Sequence, residues 1–534
     1  MAGVLIAFAV GAAAIALFFA LSEDDGVVIT PSDTYVEGVA GSWQRVNPLF
    51  STTNEVDQDL VSLVFSGLLR VGPDGSLQPD LAAALPATSE DGRTYTFKLR
   101  QGLTWQDGVA LTSRDVAFTI SRLTEPDFKG DPPLAEPWAG VEVATPDALT
   151  VVLRLRQASA PFLARNGIIG IVPEHLLGAA GGAALFESSF NTAPVGSGPY
   201  RLQSLDTREA VLVANERYHL GKPAIGTVRV RFYPDYQSAI RAAATGDVNG
   251  LLVRETLSEA QAAELGRIKG MQVDQYQRAA YLVLYLNNDQ AMFQSPGVRR
   301  AIGLAIDRRA IAEAALARVA TPSSSAIPPG TWAYEKEFDH LSPDPAEAKK
   351  LLAAGGWKEN PSTGILTREG QEFRFTIRTD NDPLRVAVAG EISRQLEAIG
   401  IRATVASTTF SVLRRDFLQE RKYDAAVAGW DQGADPDPYF GWHSSQLGTA
   451  GLNIANFGDV VVDELIAKAR TTGDIEVRKE LYRQFQEKWD DLTPSVVVAY
   501  PRYLYVHFAG LKGLSGGILS AASQRFYDVQ KWTK

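Results

Sequence analysis

From Ala2 to Leu21 the chain reads AGVLIAFAVGAAAIALFFAL, without a charged residue, and then turns abruptly into Ser22-Glu23-Asp24-Asp25. About 20 apolar residues in a helix span the hydrocarbon core of a bilayer. A run that is apolar all round has no polar face to turn to water, so it does not suit the surface of a globular domain. Two export readings remain, a cleaved signal peptide and a retained anchor. A signal peptide calls for a basic start and an A-x-A-like exit. No Lys or Arg precedes the run, and Ala20-Leu21-Ser22 makes a poor exit. Residues 1–26 are therefore expected to anchor the chain, leaving its body extracytoplasmic, in a periplasm or on the outer face of the cytoplasmic membrane.

The chain has no cysteine. That excludes disulfides, thiolate nucleophiles, Cys-ligated metals and a lipid-modified Cys. Any tether must then be Ala2–Leu21. The net charge of -10, with no basic stripe, argues against a nucleic-acid partner. At 534 residues the chain exceeds what one hydrophobic core serves, so two or more domains are expected.

Periodicity places several elements. Tyr95, Phe97 and Leu99 alternate with polar residues, as does LTVVLRLRQ from Leu149, which predicts half-buried strands. Thr112 and Asp115 form a capping-box signature ahead of Val116 and Ile120. EFRFTIRT from Glu372 predicts a strand, a helix follows Pro383 and stops near Gly400, and IRATVAS resumes as a strand. That βαβ order calls for a parallel pair. Asp344-Pro345-Ala346-Glu347 predicts a helix start and Gly355-Gly356 its end. Val477, Leu481, Phe485 and Trp489 predict one core-facing helical stripe. Gly178 to Ala184 is expected to be a surface loop.

No catalytic signature emerges. His175, His219, His340, His443 and His507 show no paired metal spacing. Gly513 to Gly517 matches G-x-S-x-G, but no His follows Ser515 as a hydrolase elbow requires. No enzyme, cofactor or bound metal is expected. The most unusual stretch is GWDQGADPDPYFGWHSSQ, from Gly429 to Gln446. It sets Asp431, Asp435 and Asp437 among Trp430, Tyr439 and Trp442 with no Lys or Arg between them. Carboxylates are costly to bury without a cationic or hydrogen-bonding partner. Solvent, a metal, a proton and a cationic ligand are all open as that partner, and Asp-Pro-Asp-Pro is also turn chemistry.

Several stretches, in order, resemble one family. They are Val46-Asn47-Pro48-Leu49, LVFSGLLRVGPDGSLQPDLAAAL, SEDGRTYTFKLRQGLTWQDGVALTSRDVAFTISRL, GSGPYRL, YLVLYLNN, PGVRRAIGLAIDRRAI, AIPPGTWAY, DPAEAKKLLAAGGW and the acidic loop itself. Together they resemble the extracytoplasmic solute-binding proteins of ABC importers, in the dipeptide/oligopeptide/nickel-binding group (family 5). The resemblance implies an α/β fold of the two-lobed periplasmic-binding-protein-like kind (type II), with an extra subdomain in the first lobe. Lobe 1 would span 27–280, with the subdomain at about 52–190, and lobe 2 would span 281–500. Residues 501–534 would return to lobe 1. Crossings between lobes are expected at Tyr281 to Asn288 and Val496 to Tyr505.

The implied function is capture of a peptide or similar small solute between the lobes and its delivery to ABC permease subunits, by a monomer. In peptide binders of the family an Asp after the Gly-Trp pair meets the peptide ammonium. Here the expected position is Gly433, which leaves Asp437, Asp435 and Asp431 as candidates, with Asp437 favoured. Trp430, Tyr439, Trp442 and Trp43 would supply aromatic walls. Other readings are a solute-sensing receptor without transport, and a nickel or other non-peptide binder of the same family, for which His443 is an isolated ligand candidate.

Overall fold

The computed structural model describes residues 33–254, 257 and 259–534. The apolar run Ala2–Leu21 lies outside the described residues. Among the described residues no helix is long and apolar enough to cross a membrane.

A 13-stranded sheet runs through the whole molecule. Its continuity rests on one strand, Val496–Phe508. Val496 to Ala499 pair with the strand Ala280–Leu286, while Arg502 to Phe508 pair with Met271–Arg278. The strands Met271–Arg278 and Ala280–Leu286 are separated by Ala279 alone. Two adjacent backbone segments therefore connect the lobes, and Pro501 sits where the long strand changes neighbours.

On one side of these crossings lie cores built from Tyr35, Leu60, Phe97, Tyr505 and Trp532, and from Val36, Leu251 and Val506. On the other lie two further cores. Leu282, Leu284 and Leu286 enter one of them, and Tyr281, Val283 and Tyr285 the other. Alternate side chains of a strand point to opposite faces. YLVLYL is continuously apolar because both faces are covered, as in a central α/β strand. A separate 4-stranded sheet, with the strands Thr94–Lys98 and Thr150–Arg154 at its centre, adds a subdomain to the first lobe.

Local chemistry explains the element starts. Thr112 and Asp115 cap the helix Ser113–Leu123 reciprocally. The strands Arg374–Asp380 and Arg402–Thr408 pair in parallel around the helix Pro383–Glu397. Asp344 accepts the Glu347 N–H at 2.8 Å and opens the helix Pro345–Ala354. Gly356 then adopts φ +84°, a left-handed conformation that costs glycine little.

Two expectations change. Leu481, Phe485 and Trp489 are buried, but Val477 is 43 % exposed. It lies in the first turn of the helix Ile475–Leu492, held by the Asp474 cap, where nothing packs over it. Gly178 to Ala184 is not wholly loop, because Gly182–Phe186 forms a short helix whose Leu185 is buried.

Candidate functional site

The strand Ala425–Asp431 pairs with Ala280–Leu286 along its whole length, so Asp431 stands opposite Ala280 at the crossing. On its other edge only Ala425 and Ala426 pair with Arg374–Asp380. The end of the strand, Gly429 to Asp431, therefore projects past its neighbour. The chain leaves it through Gln432, whose N–H donates to the Ala279 carbonyl at 2.8 Å and whose amide donates to the Ala326 carbonyl at 2.9 Å. Gly433 follows with φ +79°. The turn then lies against the first lobe. Gly433, Ala434 and Pro436 share a gap of about 10 Å³ with Val71, Gly75 and Ile518.

The three acids have different surroundings. Asp435 is held bidentately by Arg478, at 2.9 and 2.7 Å. Arg478 also donates to Tyr482 Oη at 3.0 Å and lies over the Trp332 ring. Asp437 accepts the Tyr439 N–H at 3.1 Å and meets Arg470 Nε at 3.2 Å. Burial, reinforced by Asp435, outweighs Arg470 and raises the Asp437 carboxyl to about 6. Asp431 is different: its side chain is 80 % exposed and only loosely approaches Arg278, at 3.5 Å.

The aromatic candidates divide likewise. Trp442 is wholly buried, donates to Tyr281 Oη at 3.1 Å and packs edge-on against Trp489. In this conformation it offers no surface to a solute. Trp430 is half-buried against the same core. Tyr439 shares a 2.8 Å hydrogen bond with Ser445 and carries Arg470 over its ring at 4.0 Å. Trp43 is half-buried on the first lobe and donates to the Asp206 carbonyl at 2.7 Å. His443 lies against Tyr439, and its Nδ1 accepts from the Ser445 N–H at 3.0 Å. Among the described residues no group of three or more His, Cys, Asp or Glu could hold a metal ion.

Periodicity and motif spacing did not reach the cationic half of this region. Arg254, Arg278, Arg385 and Arg502 line a pocket of about 110 Å³ beside the crossings. Arg254 is bound to Glu55 and Asp59, and Arg385 to Asp380 and Asp382. Arg502 has neutral partners, Thr321 Oγ1 at 2.9 Å and Gln275 Oε1 at 2.7 Å, and burial lowers its pKa. Tyr503 marks where the lobes meet. Burial raises its phenol; Arg278 and Arg254 act against that, and Glu55 and Asp431 add to it. Four charges from both sides of the boundary thus act on one ring. The only sequence cue was position, since Arg278 immediately precedes the first crossing.

The lobes also touch away from the crossings. The Ala160 N–H of the subdomain donates to the Arg470 carbonyl at 2.6 Å. A Cβ at Gly473 would stand 3.1 Å from Thr88 Cγ2. Residues 470–473 follow the helix that supplies Arg470 to Asp437, so the acidic loop and this second contact are mechanically linked.

A two-lobed fold with its polar groups gathered at the junction is the architecture of a binding protein that encloses its ligand. Residues 76–451 match the family described as bacterial extracellular solute-binding proteins, family 5 Middle. Protein XP55 of Streptomyces lividans is 30 % identical over 511 residues, covering 95 % of this chain and 88 % of its own. The structure of the oligopeptide-binding protein AppA of Bacillus subtilis, in complex with a nonapeptide, is 26 % identical with a TM-score of 0.63, covering 94 % of this chain and 99 % of that one. That of NikZ of Campylobacter jejuni with Ni(L-His) is 27 % identical with a TM-score of 0.67, covering 95 % and 100 %. The chain belongs to family 5 of the bacterial extracellular solute-binding proteins.

Proposed function

We propose that this protein is a membrane-tethered extracytoplasmic receptor that captures a peptide or similar small solute between its lobes and delivers it to an ABC permease. Lobe 1 is 27–280 with 501–534, its subdomain is about 52–190, and lobe 2 is 281–500. Residues 1–26 hold the protein at the membrane.

The observation that carries the reading is the contrast among the acids. Asp435 and Asp437 are already matched by Arg478 and Arg470. Asp431 presents an exposed carboxylate at the projecting strand end, beside the crossing. Closure of the lobes around a solute would dry that carboxylate, and a dry carboxylate binds an ammonium strongly. Arg278 and Arg502 stand within the same junction for an anionic group. A zwitterion such as a peptide satisfies both signs. The projecting edge of Gly429 to Asp431 leaves backbone groups that can pair with an extended chain. The oligopeptide complex of AppA is consistent with this choice of solute.

Mass spectrometry of what co-purifies with the protein identifies the solute. Calorimetry with it should then show affinity falling roughly 30-fold or more in Asp431→Asn, with Asp437→Asn within a few-fold of the parent. Equal affinity in the parent and Asp431→Asn would remove the ammonium contact from this reading.

A further inference from the structure

A cavity of about 310 Å³ lies wholly on the first-lobe side, between the helix Glu55–Val64, the segment 168–170 and the C-terminal tail 521–530. It is larger than the gaps at the lobe junction, of about 110 and 10 Å³. Small-molecule pockets begin at about 300 Å³. Val61, Phe65, Leu69, Ile168 and Phe526 make much of its wall apolar. An apolar wall facing nothing forfeits its dispersion contacts.

The polar part of the wall defines what would fit. Asp80 is taken by His219 at 2.7 Å, and Arg70 approaches Asp528 at 3.5 Å and lies over the Tyr527 ring at 4.1 Å. Arg165 sits exposed at the rim and donates to the Pro133 carbonyl at 2.9 Å. A charged ligand at the inner wall would therefore compete with an existing pair. Two inner groups are incomplete: Arg70 Nε, a donor, and Gln530 Oε1, an acceptor, are buried without hydrogen-bond partners. Both side chains reach the same Asp528 oxygen, at 3.5 and 3.3 Å, so the two deficits are neighbours. A primary or secondary carboxamide carries one acceptor and one donor side by side, without charge.

We propose that this cavity is a second ligand site, separate from the lobe junction, for a small uncharged amide with an apolar body. The carbonyl of the amide accepts from the Arg70 guanidinium and its N–H donates to Gln530. Because residues 521–530 form one wall, occupancy also braces the C-terminal tail against the first lobe.

Benzamide, benzoate and toluene are the probes, titrated calorimetrically into the full chain. Benzamide should bind about tenfold tighter than benzoate, whose charge displaces the Arg70–Asp528 pair. Val61→Trp fills the space and should weaken benzamide about tenfold or more. Gln530→Met removes the acceptor while keeping the bulk, and should weaken benzamide about fivefold while leaving toluene unchanged. Gln530→Met keeps the test decisive should Val61→Trp fail to melt cooperatively. No heat with benzamide at millimolar concentration, equal affinity for benzoate, or full benzamide binding in a folded Val61→Trp protein would overturn the site.

Discussion

Two regions of this molecule answer the same problem, the placing of carboxylates away from water, in different ways. In the first lobe Glu37, Asp59 and Arg525 are completely buried. Arg525 gives Nε to Glu37 at 2.9 Å and both terminal nitrogens to Asp59, at 2.7 and 2.8 Å. Arg254 adds a further bond to Asp59 at 2.6 Å, and Tyr35 and Tyr505 donate to Glu37. Burial raises the Glu37 carboxyl against the pull of Arg525. Burial also acts on Asp59, but there Arg254 and Arg525 win and hold it below the ordinary range. In the second lobe the pairing is graded: Asp435 is matched bidentately, Asp437 through one nitrogen, and Asp431 hardly at all. The first network is a structural knot that joins the ends of the chain. The second loop spends two acids on its own shape and leaves a third at the surface, the division expected of a loop that both holds a conformation and meets a ligand.

The sharpest way to break this comparison is to remove the cation at the knot. Arg525→Met leaves Glu37 without its guanidinium and Asp59 with Arg254 alone. Breaking a buried pair costs about 3–5 kcal/mol. Urea unfolding should show a loss of that size, and a variant within error of the parent would mean the knot is not under load. Next in size comes Asp435→Asn, which strands the Arg478 guanidinium. Tyr482 and Trp332 remain as partners, so the expected loss is about 2–3 kcal/mol. A loss as large as that of Arg525→Met would erase the gradation between the regions.

The third test uses pH. The Asp437 carboxyl sits at about 6 in the fold against an ordinary 3.8. The folded state therefore holds this proton more tightly than the unfolded chain does. Its contribution to stability is complete below about pH 4, declines as pH rises through 6 and is absent above about pH 7. The displacement corresponds to about 3 kcal/mol at most. Asp437→Asn cannot titrate there. The difference in unfolding free energy between parent and variant should drift in the parent's favour as pH falls from 7.5 to 4.5. A constant difference across that window would show that Arg470 holds the carboxylate ionised.

What could be read from the residues was local. Caps at Thr112 and Asp344, the parallel pair around Pro383–Glu397 and the strand through Tyr95 and Phe97 each depend on neighbours within a few positions. The acidic loop stood out because its acids are adjacent and its own stretch holds no cation. Its cations were hidden: Arg470 and Arg478 come from the following helical hairpin, and nothing in the spacing ties them to Asp437 and Asp435. The favoured Asp437 illustrates the limit. Pro438 and the aromatic pair after it do dry the site, but a dry site in a loop is one that the fold itself has filled. Trp442 is buried for the same reason, because it closes the core under the loop. The knot was wholly illegible, since Arg525 lies 466 residues from Asp59.

The smallest expected effect on stability is the most informative about function. Asp431 and Arg278 approach to 3.5 Å at an exposed position, and the carboxylate faces solvent over most of its surface. Exposed pairs of this kind contribute little, because water and salt screen them and holding both side chains costs entropy. Asp431→Asn should therefore melt with the parent at low and at high salt. The strand that carries it is held by backbone pairing to Ala280 and Tyr281, which the amide leaves intact. A melting temperature lowered as in Asp435→Asn would make Asp431 a third structural acid and leave the loop without a free carboxylate. Unchanged melting together with weakened solute binding would separate the two duties of the loop, residue by residue, within seven positions of chain.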